Sequence, residues 1–248
     1  MSLTKALNPG TRPSPISTYC RFFAKPNAQT DSYRDFSGNG NHASLNGTAN
    51  LTATPGQLTT ATGGNIAQIP RAAFGTYGTD YDTLILAVRA SVTPAGATNG
   101  FICLGTSTSK PGFLVRVNSD GKARWALYHA GGQQGFGETT SVVFDGTAHD
   151  YLIAMDSDGT TWWYTDGVAD ATHGTGGYSQ SVPAWTDDNT DPASIGGYTT
   201  ASSLATVTRY LGIYAWLGGL PSGIDIAALA ARARAYPHRP FTPQELGA

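Results

Sequence analysis

Glutamate is almost missing from this chain: among 248 residues it stands only at Glu138 and Glu245, and lysine only at Lys5, Lys25, Lys110 and Lys122. Helix surfaces normally draw on both residue types, so their scarcity argues against a helical bundle and for strands and turns. Charged residues of all kinds make up 13% and the formal net charge is −2. Nucleic acid and anionic membrane surfaces require clustered Lys and Arg, so neither is an expected partner. Long apolar runs are lacking too. Leu211 to Trp216 is among the longest, far short of the roughly 20 residues that span a bilayer as a helix. Met1 to Ser17 is too polar and too rich in proline to be a secretory h-region. The expectation is a protein made in a cytoplasm, with no signal peptide and no membrane insertion. The two cysteines, Cys20 and Cys103, each sit in a strand-like run and read as buried free thiols rather than a disulfide framework.

Turn chemistry, by contrast, is abundant. Asn-Gly and Asp-Gly pairs favour positive φ and mark tight hairpins. They occur at Asn39-Gly40, Asn46-Gly47, Asn99-Gly100, Asp120-Gly121, Asp145-Gly146, Asp158-Gly159 and Asp166-Gly167. Between them lie runs of strand length: Asp82 to Val92, Gly112 to Asn118, Lys122 to Ala130, His149 to Met155, Thr160 to Asp166 and Thr208 to Trp216. The alternation in Phe113 to Val117 puts Phe113, Val115 and Val117 on one face. Short strands at such spacing predict an all-β antiparallel sandwich. One helix is expected over Ser222 to Ala235, with Ser222 as its cap, Asp225 in its first turn, and Ile226, Leu229, Ala230 and Ala233 on one stripe. Pro237 ends it. The domain is expected over residues 18–236, flanked by an extended N-terminal arm, 1–17, and an extended C-terminal tail, 237–248. Leu3, Leu7 and Ile16 in the arm, and Phe241 and Leu246 in the tail, are candidate anchors for a neighbouring subunit.

Three segments resemble laminin G-like, concanavalin A-like domains. Asp35 to Ala49, "DFSGNGNHASLNGTA", is similar to the entry signature that follows that family's first strand. Phe144 to Val168 resembles its central pattern of Asp-Gly, His, strand, Asp-Gly, aromatic strand and Asp-Gly. Leu211 to Ala230 is similar to its closing strand and short helix. The Trp usual before the His is replaced by Ala148, and the Glu that opens the last helix by Asp225. The resemblance implies a jelly-roll β-sandwich of two antiparallel sheets with one short C-terminal helix. It also implies structural roles for Asp35, Gly38, Asn39 and Asn41 in a compact turn, and for His149 beside its Asp-Gly turn. Asn side chains bonding to backbone are expected to hold that turn.

Sites for chemistry are sparse. Glycosidases on the concanavalin-like fold place two carboxylates about 5 Å apart from a Glu-x-Asp-x-x-Glu strand, whereas Glu138 has no second carboxylate near it in sequence. There is no Gly-x-Ser-x-Gly elbow and no Gly-Lys-Ser/Thr phosphate loop. The histidines at 42, 129, 149, 173 and 238 do not pair at zinc-ligand spacing. Two loops qualify for calcium: Asp156 to Thr160, which reads better as a hairpin turn, and Trp185 to Pro192, with Asp187, Asp188, Asn189 and Asp191 as oxygen ligands. The same long loop offers rings and hydrogen-bonding groups suited to a sugar: Tyr178, Trp185, Asp187, Asp188 and Asn189. Trp162-Trp163-Tyr164 has the same residue types, but alternate residues of a strand face opposite ways. Trp125, Trp162, Trp163 and Trp216 are expected in the core.

The functional expectation is therefore a non-enzymatic protein. Low charge, a Gly/Thr/Ser-rich sandwich and proline-rich ends resemble the laminin G-like proteins of tailed bacteriophages. That implies a virion structural component (head decoration, fibre or tail part), with other virion proteins or further copies of itself as partners and a cell-surface glycan as a possible ligand. The alternatives are a free carbohydrate-binding lectin and, third, a glycan-degrading enzyme.

Overall fold

The structure is a computed structural model that describes residues 20–24, 35–46, 50–51, 57–60, 66–70, 74–75, 80–94, 99–104, 112–129, 132–158, 160–173, 192–197, 206–237 and 239–247. In chain order the strands are β1 (Cys20–Ala24), β2 (Ser44–Asn46), β3 (Asn50–Leu51), β4 (Leu58–Thr60), β5 (Ile66–Ile69), β6 (Thr83–Val92), β7 (Asn99–Leu104), β8 (Gly112–Val117), β9 (Ala123–His129), β10 (Gly132–Glu138), β11 (Ala148–Met155), β12 (Thr161–Thr165), β13 (Val168–His173), β14 (Ala193–Ile195) and β15 (Thr206–Trp216), followed by helix α1 (Ile226–Ala235). They form two antiparallel sheets. The first runs β13-β12-β11-β6-β15-β4-β3, with β1 also on β15, and the second runs β10-β9-β8-β7-β14-β5-β2. The chain is a β-sandwich with one short helix.

The sheets enclose one apolar core. Leu84, Leu86 and Val88 of β6, Ile153 of β11 and Leu211 and Ile213 of β15 meet Phe113, Val115 and Val117 of β8 and Trp125 of β9. The indoles of Trp125 and Trp163 stack with centroids 5.5 Å apart, and the Trp125 Nε1–H donates to Thr161 Oγ1 across the sheets at 3.0 Å. Both cysteines are free and buried here or just outside it. Burial is the largest influence on each thiol, raising Cys20 beyond its ordinary range and pushing Cys103 up to about 12, so both stay protonated and inert.

One extra residue organises β15. Thr208 pairs with Ala90 and Tyr210 with Arg89, so Arg209 has no partner of its own and bulges out. Before the bulge, Thr206 and Thr208 face the core; after it, Leu211, Ile213 and Ala215 do, while Tyr210, Tyr214 and Trp216 turn to the far face. A second bulge at Phe101 lies in β7, between the pairs Gly100–Arg116 and Ile102–Val115. Asn99-Gly100, expected as a hairpin turn, is instead inside that strand. The Asp166-Gly167 pair does turn, with positive φ at both residues (52° and 77°).

A second apolar layer covers the far face of the first sheet. Ile85, Ala87, Leu152, Ala154, Tyr210, Tyr214 and Trp216 pack under α1, which buries Ile226, Leu229, Ala230 and Ala233. The helix starts later than its sequence suggests. Asp225, not Ser222, is the cap, accepting from the backbone N–H of Ala228 at 2.9 Å, which a side chain in the first turn could not do.

The segment beyond Pro237 is not an extended tail. Phe241 and Leu246 are each 2% exposed, buried in the same far-face layer. The Phe241 N–H donates to Tyr214 Oη (3.0 Å), and Arg232 ties the segment down through Glu245 (2.7 Å) and the carbonyls of Arg239 and Pro240. Thr242 and Glu245 form a reciprocal capping box: Thr242 N–H to Glu245 Oε2 at 2.7 Å and Glu245 N–H to Thr242 Oγ1 at 3.3 Å. Apolar anchors and a local cap outweigh the prolines. Phe241 and Leu246 are thus occupied within this domain rather than presented to a neighbour. The arm 1–17 lies outside the described residues.

Candidate functional site

Carboxylates carry most of the polar organisation, and their hydrogen bonds show which of them are available. Asp35 is 5% exposed. Its Oδ1 accepts from the backbone N–H of Phe23 (3.1 Å) and Ser37 (2.8 Å), and its Oδ2 from Ser37 Oγ (2.8 Å) and the Asn41 N–H (2.9 Å). One acid therefore gathers the Gly/Asn-rich loop onto β1. Asn39 helps by donating from Nδ2 to the carbonyls of Cys20 and Arg21; Asn41 contributes its backbone. Gly38 and Gly40 take positive φ of 95° and 72°. From Ala43 to Asn46 the stretch is not a turn: Ala43 is buried and Ser44–Asn46 is the edge strand β2. All four acceptor positions used on Asp35 face inward, leaving nothing for a ligand.

His149 sits in a second knot, at the start of β11. Its Nδ1 lies 2.7 Å from Asp166 Oδ2, and its Nε2 lies 2.8 Å from Thr147 Oγ1 and 3.2 Å from Asp145 Oδ1. Burial disfavours the imidazolium, but the hydrogen bonds and charges of Asp166 and Asp145 outweigh it and hold His149 above its ordinary pKa. Asp166 Oδ1 takes the Asp150 N–H at 3.0 Å. Asp150 itself, 5% exposed, is paired with Arg89 at 2.6 Å and accepts from Tyr210 Oη at 3.2 Å. Burial raises the Asp150 pKa despite these partners. Both oxygens of Asp150 and of Asp166 are engaged, so this array of acid, base and cation is a clamp between strands rather than an open reaction centre.

A third region is different. Beside α1, an open cleft of about 440 Å³ is lined by Trp162 and Tyr164 of β12, by Leu220, Pro221 and Ile224 of the loop before the helix, and by Asp156 and Asp225. The strand period explains the rings: Trp163, between them, is fully buried in the core, so Trp162 and Tyr164 share the far face opposite Ala154 and Leu152. Both are partly buried against the far-face layer. Trp162, expected in the core, is a wall of the cleft.

The opposite wall is fixed in place. Asp82 Oδ1 accepts the N–H groups of Gly218 (2.9 Å) and Gly219 (3.3 Å), the Trp216 indole donates to the Gly219 carbonyl (2.7 Å), and Asp156 Oδ1 accepts the Leu220 N–H (2.8 Å). From behind, the folded-back C-terminal segment presses on it: a Cβ on Gly247, whose φ is +75°, would stand 2.9 Å from Pro221 Cβ. Asp156 and Asp225 each use Oδ1 for backbone N–H groups, while Oδ2 of each takes no bond from a described residue. The result, among the described residues, is a cleft with two aromatic rings and two carboxylates that each have an Oδ2 without a bond, a composition suited to a polyhydroxylated ring.

The expected glycan residues Tyr178, Trp185, Asp187, Asp188 and Asn189, and the expected calcium ligands Asp187, Asp188, Asn189 and Asp191, lie outside the described residues. Among the described residues no three His, Cys, Asp or Glu side chains converge as a metal site, and no helix is long and apolar enough to cross a membrane. Glu138 accepts from Asn118 Nδ2 at 2.9 Å. The sequence signal for the cleft was the alternation Trp-Trp-Tyr; its two acids could not be singled out without knowing which backbone amides they meet.

No family model matches the sequence, and no curated protein matches it. Solved structures do share the fold. The receptor-binding domain of botulinum neurotoxin D aligns with a TM-score of 0.65 at 8% identity, over 89% of this chain and 53% of that one. The botulinum neurotoxin serotype D binding domain gives 0.61 at 10% identity, over 82% and 50%. Trypanosoma rangeli sialidase gives 0.58 at 15% identity, over 92% of this chain and 33% of its own. The chain thus spans about half of the toxin domains and a third of the sialidase, and what it has in common with all of them is the β-sandwich fold.

Proposed function

We propose that this protein is a non-enzymatic, lectin-like recognition module whose cleft beside α1 holds a saccharide. The observation that carries the reading is that Trp162 and Tyr164 line one cleft with Asp156 and Asp225, whose Oδ2 atoms take no bond from a described residue, against a wall that is already fixed. Rings cover the apolar face of a pyranose, carboxylates accept from its hydroxyls, and a rigid wall spares the entropy of ordering a loop on binding. That sandwiches of this shape include toxin receptor-binding domains supports a recognition role.

Two acids in a cleft also raise the glycosidase reading. Hydrolysis needs two carboxylates free to flank the scissile bond, whereas Asp225 serves as a helix cap and Asp156 holds the loop before it. Binding without turnover is the better account. The test is a glycan array with the purified full chain, beside an assay for reducing sugar. Binding without release supports the proposal; release abolished by Asp156→Asn or Asp225→Asn would replace it with hydrolysis.

The place of such a module in a virion, as a head decoration, fibre or tail part, belongs to the same proposal, but its anchoring falls to residues 1–17, since Phe241 and Leu246 are used internally. Calcium bound by Asp187, Asp188, Asn189 and Asp191 is likewise proposed. It predicts a melting temperature raised by calcium and lowered by EDTA.

A further inference from the structure

We infer that the cleft beside α1 selects an uncharged pyranose residue and rejects sialic and uronic acids. The inference rests on the saccharide-binding reading above and names the class of sugar. Asp156 and Asp225 are the charged side chains among the described residues that line the cleft, and both are anionic. An ionised carboxylate only accepts hydrogen bonds. Their Oδ2 atoms, which take no bond from a described residue, therefore suit hydroxyl donors on a neutral ring, and they would face a sugar carboxylate with like charge.

The two arginines of α1 donate elsewhere. Arg232 is directed to Glu245 and to the carbonyls of Arg239 and Pro240, and Arg234 to the Asp166 carbonyl. The helix N-terminus is the remaining candidate for holding an anion. Asp225 itself caps it, its Oδ1 accepting from the Ala228 N–H, and sets a carboxylate beside the other amides of the first turn. A carboxylated sugar would have to displace that cap or lie beside it.

Two substitutions separate ligand binding from folding. Asp156→Asn and Asp225→Asn keep an Oδ1 acceptor for the backbone groups of Leu220 and Ala228, and asparagine is as good a helix cap as aspartate. Each replaces the open oxygen with an amide donor and removes a negative charge. The full chain is applied to an array that pairs each neutral oligosaccharide with the same oligosaccharide capped by sialic acid, and hits are followed by titration calorimetry.

The inference expects binding to neutral members, weakened roughly tenfold or more by Trp162→Ala and weakened by both Asn variants, with unchanged melting curves for the latter. It expects the Asn variants to narrow the preference for neutral over sialylated forms. Binding of sialylated members that Trp162→Ala abolishes would overturn the charge selection and leave the saccharide function standing. Binding of any sugar that Trp162→Ala and both Asn variants leave intact would overturn the assignment to this cleft. Absence of binding to every member would remove the saccharide reading itself, and this inference with it.

Discussion

The turn around Asp35 and the cleft around Asp156 and Asp225 use the same chemical group to opposite ends. At Asp35 both oxygens are turned inward on four donors, and burial makes each of those bonds costly to lose. In the cleft one oxygen of each acid fixes the local backbone while the other takes no bond from a described residue, next to half-buried rings. Counting donors on each oxygen separates a carboxylate that builds the fold from one that can also meet a ligand. Residue type and sequence spacing do not separate them, since both lie in Gly- and Asp-containing loops.

The sharpest way to break this contrast is to remove each acid and measure stability. Asp35→Ala strands several buried donors at once and is expected to cost about 4 kcal/mol in denaturant unfolding. A loss below about 1 kcal/mol, within the range of ordinary surface changes, would mean that the turn holds without its acid. Phe241→Ala comes next, at about 3 kcal/mol, because it opens a cavity between Tyr214 and α1. It should also weaken sugar binding by loosening the support behind Pro221 while leaving the Asp35 turn intact, seen as unchanged amide exchange at Asn41. Asp156→Asn and Asp225→Asn are expected to shift stability by no more than about 0.5 kcal/mol, which is the cleft's half of the comparison.

The smallest effect expected is the pH response of His149. Its partners Asp166 and Asp145 raise its pKa above the unfolded value, so its stabilising contribution is complete below about pH 6.5 and is lost as pH rises through the folded-state value. Asp145 and Asp166 are shifted down: Thr147 is the leading cause for Asp145, and for Asp166 the Asp150 N–H and His149 outweigh burial. Their contributions are present above about pH 3.9 and vanish as pH falls through the lowered values. Between these limits the knot is strongest. Raising the pH from about 6 to about 8 should lower the melting temperature slightly in the native chain and not in His149→Gln. An equal slope in both would detach the knot from stability.

Much of the sandwich was legible because local chemistry and tertiary structure agree in its strands. Asp120-Gly121 and Asp166-Gly167 turn where their sequence says, and β8 buries Phe113, Val115 and Val117 together. The helix stripe was readable for the same reason. Asn99-Gly100 misled because a bulge in β7 absorbs the glycine into the sheet, where packing of Phe101 and Ile102 outweighs turn preference. The fold-back beyond Pro237 was written in Thr242-Pro243-Gln244-Glu245, a capping-box sequence overshadowed by the prolines around it. Of the cleft, only its rings were legible. Its acids become distinct from the other aspartates through contacts with Leu220 and Ala228 that depend on how the loop before α1 is held.

Arg209 carries a consequence for how this chain can change. Its side chain is exposed and its backbone is the extra residue in β15, so its chemical identity has little to hold in place. Its existence is another matter. Before it, β4 pairs along Thr206 to Thr208; after it, β1 pairs along Leu211 to Tyr214, and the two stretches present opposite parities to the core. A library that varies the residue at 209 should be almost entirely tolerated, whereas deleting that one position would drive Leu211 and Ile213 out of the core or pull the threonines from it. The strand is permissive to spelling at this point and intolerant of a change in length.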